Sequence, residues 1–323
     1  MRRLYIIGNG FDKAHNLKTS YWDFRCYLER YAEDFLIEFE KLYGFYPFDA
    51  DDYHIAEDRR KDTVKRRNNA LREYLWNSFE EKLGTPLECE IESICDTAVD
   101  AMSEFEFGGI EDTLDAYFEE QFQFIQLLQN YLLKWVKQIR LHKAKVMRSS
   151  LLNNSTDLFL TFNYTPVLER IYHISSSQIC HIHGGTPPYC LTPPIIGHGN
   201  RTAIEQRNQW KRECDEVFDE GGASTHQAFV NYYQRTFKDV NKIILMNPDF
   251  FSRIRDINQV QVIGHSLGAV DIPYFKEINV RANENTSWIV YYHSDAEKDA
   301  FEKALRGIGV KRINMRSSTS FWV

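Results

Sequence analysis

The sequence predicts an α/β protein: a mostly parallel, Rossmann-like sheet flanked by helices, with a large all-helical insertion after the first strand. After residue 150, short apolar runs alternate with helical segments, a pattern typical of parallel sheets. Between residues 21 and 140, apolar residues recur at helical spacing and strand-like alternation is nearly absent. We therefore expect a sheet domain formed by residues 1–25 and 150–323, and a helical insertion formed by residues 26–149.

The predicted strands are short apolar runs, most of which end in glycine or polar residues. The first is Leu4–Ile7, which leads into the glycine turn Gly8–Asp12. The others are Leu158–Phe162, Gln178–His183, Val260–Gly264 and Trp288–Tyr292. Open α/β sheets bind ligands at the carboxyl ends of their strands, so the residues that follow the strands form the candidate site.

Two serines mark predicted helix starts. Ser20 precedes Asp23 by three positions, and Ser294 precedes Glu297 by the same spacing. A serine followed three residues later by an acidic side chain resembles a capping box, so a helix is expected after each serine.

The helical insertion carries two apolar stripes and one basic stretch. The stripes step by three or four residues, and they consist of Leu71, Leu75, Phe79 and Leu83, and of Leu114, Phe118, Phe122, Ile125, Leu128, Leu132, Trp135 and Ile139. We expect both to be core or partner-helix faces. The basic stretch from Arg59 to Arg67 is interpreted as a solvated helix face.

Composition and charge exclude several classes of protein. Hydrophobic residues make up 43% of the chain and charged residues 26%, as in ordinary globular proteins. The opening apolar run is too short for a signal peptide or a membrane span, so no membrane association is expected. A net charge of -7 makes nucleic acid an unlikely partner. Six scattered cysteines without C-x-x-C spacing predict reduced thiols in a cytoplasm and no metal site.

The first two motifs each follow a predicted strand. The turn GNGFD lets backbone N–H groups approach a phosphate, although it lacks the third glycine of G-x-G-x-x-G and is equally typical of a plain tight turn. In TFNYT, residues 161–165, Asn163 can donate and accept hydrogen bonds at the sheet edge. Its alternative role is to cap the helix that Pro166 starts.

The third motif, HIHGG, ends a predicted strand with two histidines. Alternation along a strand places His181 and His183 on the same face, but no nearby Cys, Asp or Glu completes a zinc site. His183, followed by Gly184, is instead a candidate base at neutral pH, and a structural histidine is the alternative.

The fourth motif, GHSLG at residues 264–268, matches the nucleophile elbow of serine hydrolases. Such an enzyme needs an acid and then a histidine downstream of the serine. Asp271 is too close, and His293 precedes Asp295. The motif alone therefore does not predict a hydrolase of this type.

The four motifs in this order, GNGFD, TFNYTPVLE, HIHG and GHSLGAVDIP, resemble those of sirtuin-like proteins. Together with the opening IIGNGFDKAHNLKTSYWDF, they resemble the abortive-infection AbiH family more closely. The resemblance covers about the first 25 residues and most of the chain from Asp157 onward, but the insertion only loosely.

The resemblance implies a sirtuin-type nucleotide-binding domain that takes NAD as its substrate, without a metal. Asn163 and His183 would be the catalytic residues. The implied cofactor-binding residues are Gly8, Asn9, Gly10, Phe11, Asp12, Thr161, Tyr164, Gly184, Gly264, His265, Ser266 and Asp271. The chain departs from deacetylating sirtuins in lacking paired C-x-x-C motifs, and Asp12 stands where sirtuins carry a small polar residue.

The function expected from this resemblance is NAD glycohydrolysis in antiphage defence. The alternative is a non-catalytic nucleotide or ADP-ribose sensor whose helical region binds a partner protein. In either case, a homo-oligomer or a partner defence protein would contact the helical insertion. Action on nucleic acid and serine hydrolysis are less favoured.

Overall fold

A computed structural model describes residues 2–47, 57–103, 118–119, 123–147, 152 and 155–322. The chain forms two compact units. The sheet unit consists of Met1–Ser20, Leu132–Ile195 and Asp239–Val323, and the helical unit consists of Tyr21–Tyr131 and Ile196–Lys238. This division differs from the predicted one, because residues 21–25 and 196–238 belong with the helices and residues 132–149 with the sheet. Helical periodicity identifies a helix but not the helices against which it packs.

The sheet unit contains a six-stranded parallel sheet. The strands are β1 (Arg3–Ile7), β2 (Leu158–Thr161), β3 (Ile179–His181), β4 (Gln259–Ile263), β5 (Ser287–Tyr292) and β6 (Ile313–Ser317). Their order in the sheet is β3-β2-β1-β4-β5-β6, and every neighbouring pair is parallel. The predicted parallel sheet is thus confirmed. The sequence INMRS of β6 is half exposed and largely polar, which is why apolar patterning missed it.

Both faces of the sheet are buried, as expected for a parallel sheet. Leu4 and Ile6 of β1 belong to one hydrophobic cluster, and Tyr5 and Ile7 belong to another. Because side chains alternate along a strand, the two clusters lie on opposite faces. Helices therefore flank the sheet on both sides, and ligands can approach at the strand ends.

The helices, in chain order, are α1 (Asn9–Ala14), α2 (Tyr21–Tyr31), α3 (Glu33–Lys41), α4 (Glu57–Tyr74), α5 (Phe79–Leu83), α6 (Glu88–Ser103), α7 (Leu127–Lys137), α8 (Val167–Arg170), α9 (Arg201–Glu216), α10 (Glu220–Arg235), α11 (Val240–Leu245), α12 (Pro248–Ser252), α13 (Ile272–Arg281) and α14 (Asp295–Gly307). The predicted starts are confirmed at α2, directly after Ser20, at α8, directly after Pro166, and at α14. At α14, Ser294 Oγ accepts a hydrogen bond from the Glu297 N–H.

The predicted helical stripes are buried but interrupted. Leu71, Leu75, Phe79 and Leu83 all lie in the core, although α4 ends at Tyr74 and a 3-10 turn separates it from α5. In the second stripe, α7 ends at Lys137, two residues before Ile139. Leu114 and Phe122 lie outside the described residues.

Three further findings concern the basic stretch, the cysteines and the helices. In the basic stretch, Lys61, Lys65 and Arg66 are exposed, which confirms a solvated helix face for them. All six cysteines are free thiols. Among the described residues, no helix is both long enough and apolar enough to cross a membrane.

Candidate functional site

The four sequence motifs meet at one edge of the sheet. The last residues of β1 and β2, Ile7 and Thr161, are paired in register, and Thr161 pairs in turn with His181 of β3. On the other side, Ile7 pairs with Ile263 of β4. Because all four strands are parallel, the residues that follow them emerge at the same edge.

The glycine turn packs directly against the end of β4. A Cβ atom on Gly8 would lie 2.5 Å from the Cα of His265, and one on Gly10 would lie 2.7 Å from the Cα of Gly264. The Gly10 N–H donates to the Gly264 carbonyl at 2.7 Å, and the Gly8 N–H donates to the Ile263 carbonyl at 2.9 Å. These glycines are therefore required for backbone packing, and their two amides are already hydrogen-bonded within the protein.

Asp12 lies in the first turn of α1 and is 1% exposed. Its carboxylate accepts a hydrogen bond from Thr165 Oγ1 at 2.5 Å and another from Asn163 Nδ2 at 2.8 Å. Burial raises the pKa of Asp12 to about 7, against the lowering effect of the bonds from Thr165 and Asn163 and of nearby His181. Asp12, proposed from the sequence as a ligand contact, is thus an internal acceptor that holds Asn163.

Asn163 is fixed in one orientation. Its Nδ2 atom donates to the Gly8 carbonyl at 3.1 Å as well as to Asp12. The amide nitrogen therefore faces the protein, and Oδ1 is the atom through which Asn163 can accept a hydrogen bond from a ligand.

Four other predicted binding residues have side chains that are engaged within the sheet unit. Thr161 Oγ1 accepts the Asn163 N–H at 3.1 Å, and Tyr164 Oη donates to the Ile195 carbonyl at 3.0 Å. Asn9 Oδ1 accepts from Thr19 Oγ1. Phe11 is buried in the core. The side chains of these residues therefore contact other parts of the sheet unit at this edge.

His181 and His183 contact different carboxylates. Strand β3 ends at His181, so the alternation argument does not extend to His183. His181 Nε2 lies 2.8 Å from Glu169 Oε1, while its Nδ1 lies 3.3 Å from the Asn163 carbonyl oxygen. Glu169 lies on α8 and gave no signal in the sequence, because its contact with His181 depends on the path of the chain after β2.

His183 belongs to a second group, centred on Asp271. His183 Nε2 lies 3.3 Å from Asp271 Oδ1, and His265 Nε2 lies 3.4 Å from Asp271 Oδ2. The side chains of the two histidines are 4% and 3% exposed, whereas that of Asp271 is 13% exposed. Gly184 after His183 has a φ of 74°, and a Cβ there would lie 2.1 Å from the Pro193 carbonyl oxygen, so only glycine fits. Within the described part of the chain, no group of three or more His, Cys, Asp or Glu residues could hold a metal ion.

The GHSLG loop does not have the form of a nucleophile elbow. Ser266 is exposed, but the residues with positive φ are Gly264 and Leu267, and α13 begins only at Ile272. An elbow serine would itself occupy the strained position between strand and helix. The structure therefore gives no support to serine hydrolysis.

The helical unit contains a separate cleft of about 560 Å³. Its lining consists of Glu88, Glu92, Arg207, Trp210, Glu213, Cys214, Val217 and His226. The guanidinium of Arg207 is buried there, 2.8 Å from Glu88 and over the ring of Phe229. This cation is neutralised within its own unit.

A family model described as bacteriophage abortive infection AbiH matches residues 4–292, which is most of the 323-residue chain. The chain belongs to the AbiH family. The matched range of this AbiH protein contains all four motifs at the sheet edge. No curated protein and no solved structure matches the AbiH chain significantly. A sirtuin-type relationship and the binding of NAD thus remain predictions.

Proposed function

We propose that this AbiH protein binds NAD at the carboxyl edge of its sheet and hydrolyses the bond between nicotinamide and ribose in antiphage defence. The observation that carries this proposal is the position of Asn163, His183 and Asp271. They follow β2, β3 and β4, on both sides of the point where the strand order reverses. In doubly wound sheets with the order 3-2-1-4-5-6, dinucleotides bind at this switch point.

The polar groups at this edge fit the proposed reaction. The nicotinamide–ribose bond breaks, its electron pair leaves with the ring nitrogen, and water forms the new bond to the ribose. His183 takes the proton that the water loses, and Asn163 Oδ1 accepts a hydrogen bond from the water or from a ribose hydroxyl. Asp271 adds a negative charge near the cationic ribose of the transition state.

The remaining predicted contacts belong to the same proposal. The backbone of Gly8 to Gly10 and of Gly264 to Ser266 would line the pyrophosphate and the adenosine ribose. The helical unit would supply the surface for self-assembly or for a partner. It exposes Val217 and Phe218 between α9 and α10, with relative exposures of 73% and 91%.

Nicotinamide release from NAD by the purified protein tests the proposal. Asn163→Ala and His183→Ala should each lower the rate, and His183→Ala should lower it about 10²- to 10⁴-fold, the usual contribution of a general base. His142→Ala, at an exposed histidine of the sheet unit, is the matched control and should retain the wild-type rate. Circular dichroism establishes that the variants are folded. Unchanged NAD consumption in both site variants would refute the assignment.

A sensor without turnover is the second candidate, and the low exposure of the site favours it. Asn163 is 7% exposed and His183 is 3% exposed, so little of either proposed catalytic side chain is available to a bound substrate. Calorimetry distinguishes the two candidates. Tight binding of NAD or ADP-ribose without nicotinamide release would support the sensor.

A further inference from the structure

The contacts of Asp271 with two imidazoles determine where each ring carries its proton. The first link in this chain of contacts is a backbone amide, whose role as a donor is fixed. The Leu267 N–H donates to His265 Nδ1 at 2.9 Å. In the neutral ring, Nδ1 of His265 therefore carries the lone pair and Nε2 carries the proton.

The proton on His265 determines the next contact. His265 Nε2 faces Asp271 Oδ2 at 3.4 Å, so this imidazole is a donor toward the carboxylate. The other carboxylate oxygen, Oδ1, faces His183 Nε2 at 3.3 Å. Because an ionised carboxylate only accepts hydrogen bonds, His183 also presents an Nε2–H, and its Nδ1 is the basic nitrogen. Contacts of this length in a free enzyme often shorten when substrate binds.

The surroundings of the two rings strengthen their attraction to Asp271. Phe162 meets both edge-on, with centroid distances of 4.8 Å to His183 and 4.3 Å to His265. The rings of Tyr274 and Phe275 lie 5.7 Å from His183 and 5.0 Å from His265, respectively. In such an apolar environment, electrostatic interactions are stronger than in water.

The backbone conformation of the loop after β4 places the Leu267 N–H next to His265 Nδ1. Leu267 has a φ of 53°, a conformation that L-residues adopt at a cost, and Gly264 has a φ of 65°. A Cβ on Gly264 would lie 2.3 Å from the Phe11 backbone nitrogen. The glycine turn after β1 thus limits the path of the loop that carries the Leu267 N–H.

We infer that Asp271 and His265 are positioning residues that hold His183 in the Nε2–H tautomer, with Nδ1 as the atom that accepts a proton. The tautomer is inferred from the Leu267 hydrogen bond and from the distances of both rings to Asp271. Its use in taking a proton from water rests on the proposed function. The ligand contacts that the sequence predicts for Asp271 and His265 stay predictions beside this positioning role.

Two substitutions at His265 separate positioning from loop structure. Glutamine can place its amide N–H near the Nε2 position and keep the donor toward Asp271, while it loses the acceptor for Leu267. Asparagine can place its oxygen near the Nδ1 position and keep the acceptor for Leu267, while it loses the donor toward Asp271. If His265 acts through Asp271, His265→Gln should keep kcat within about tenfold of wild type, and His265→Asn should lose about 10²-fold, both with little change in KM. The reverse order would show that His265 only stabilises the loop, and would overturn the inference.

Asp271→Asn is the companion variant. Its amide nitrogen would face one of the two Nε2–H groups, so one imidazole must adopt the other tautomer. Where an orienting aspartate was replaced in this way in a hydrolase triad, the wrong tautomer lowered kcat about 10⁴-fold. We expect a loss of about 10²- to 10⁴-fold in kcat. A wild-type rate would contradict the positioning role.

A direct measurement of the tautomers completes the test and does not depend on NAD. In protein labelled with ¹⁵N-histidine, two-bond ¹H–¹⁵N correlation at mildly alkaline pH should show Nε2 protonated in both His183 and His265. His183→Gln and His265→Gln assign the two signals. A proton on Nδ1 of His183 would overturn the inference whatever the activity. The predicted tautomers in a protein that leaves NAD intact would refute the proposed function and retain the positioning arrangement.

Discussion

Buried ionisable groups have different kinds of partner in the two units. In the helical unit, buried cations pair with carboxylates: Arg25 Nε lies 2.8 Å from Glu40, and Lys238 Nζ lies 2.6 Å from Glu80. In the sheet unit, the direct hydrogen-bond donors to buried Asp12 are the neutral side chains of Asn163 and Thr165. In the helical unit, the carboxylates neutralise the buried cations. In the sheet unit, only neutral dipoles stabilise the charge of Asp12.

This difference separates structural from chemical roles. A carboxylate next to a guanidinium exchanges its proton only at a large energetic cost, so such a pair mainly fixes packing. A carboxylate among neutral donors, such as Asp12 with its raised pKa, can take part in proton exchange at neutral pH. The sheet edge is therefore the region where proton transfer is expected.

The largest expected effect is the loss of the buried pair in the helical unit. Arg25→Met leaves Glu40 buried, with the Trp76 indole N–H as its remaining close donor and Arg67 4.0 Å away. Removing one partner of a buried pair typically costs about 3–5 kcal/mol of unfolding free energy. Urea unfolding measures this loss.

Two controls sharpen this prediction. Arg25→Met with Glu40→Gln removes the unpaired charge and keeps an acceptor for Trp76, so it should recover most of the stability. Arg306→Met breaks an exposed pair with Glu302 and should cost at most about 1 kcal/mol. Equal losses of unfolding free energy in Arg25→Met and Arg306→Met would mean that the buried pair contributes no more stability than the exposed pair.

The second prediction concerns Asp12 and pH. Burial raises the pKa of Asp12 from 3.8 to about 7, so the folded state binds a proton that the unfolded state has released. The free energy of unfolding should therefore fall by about 4 kcal/mol as pH rises from about 4 to 7, and then level off. Asp12→Asn should remove this component from the pH profile of urea unfolding. An unchanged profile in the variant would show that Asp12 is ionised throughout.

The third prediction has the opposite sign and lies in the helical unit. His198 Nε2 faces the Tyr233 carbonyl at 3.0 Å, and its Nδ1 accepts the Asn200 N–H at 2.9 Å, so the neutral ring fits both contacts. Burial lowers the pKa of His198 to about 4, despite the raising effect of the Tyr233 bond. Stability should thus rise by about 3 kcal/mol between pH 4 and 6.5. In His198→Gln, this rise in the free energy of unfolding should be absent from the pH profile. If the rise persists in the variant, another group causes it.

The sequence predicted five of the six strands because each of the five is centred on a short segment rich in apolar residues. Leu4–Ile7 consists of large hydrophobic residues. The structure buries both faces of this segment and places a strand on each side of it. The half-exposed edge strand β6 lacks such a run and was missed. The division into units was predicted less well, because the assignment of α9 and α10 to the helical unit depends on long-range packing.

The candidate site was predicted in position but not in its internal contacts. Asn163 and His183 were selected after predicted strands, Asp271 was implied by the family resemblance, and the parallel sheet brings the ends of β2, β3 and β4 to one edge. Thr165, a donor to Asp12, and Glu169, the partner of His181, were missed. Their roles require knowledge of how the chain turns after β2.

By itself, the sequence determined which residues stand at the ends of strands, because hydrophobic runs and helix-start signals are local properties. The tertiary structure alone decided which of those residues touch. It directed Asn163 to Asp12 and His183 to Asp271, and it packed Gly8 and Gly10 against the loop after β4. These contacts join residues about 90 to 260 positions apart in the chain. Local patterning carries no information about such distances, because they depend on the order and register of the whole sheet.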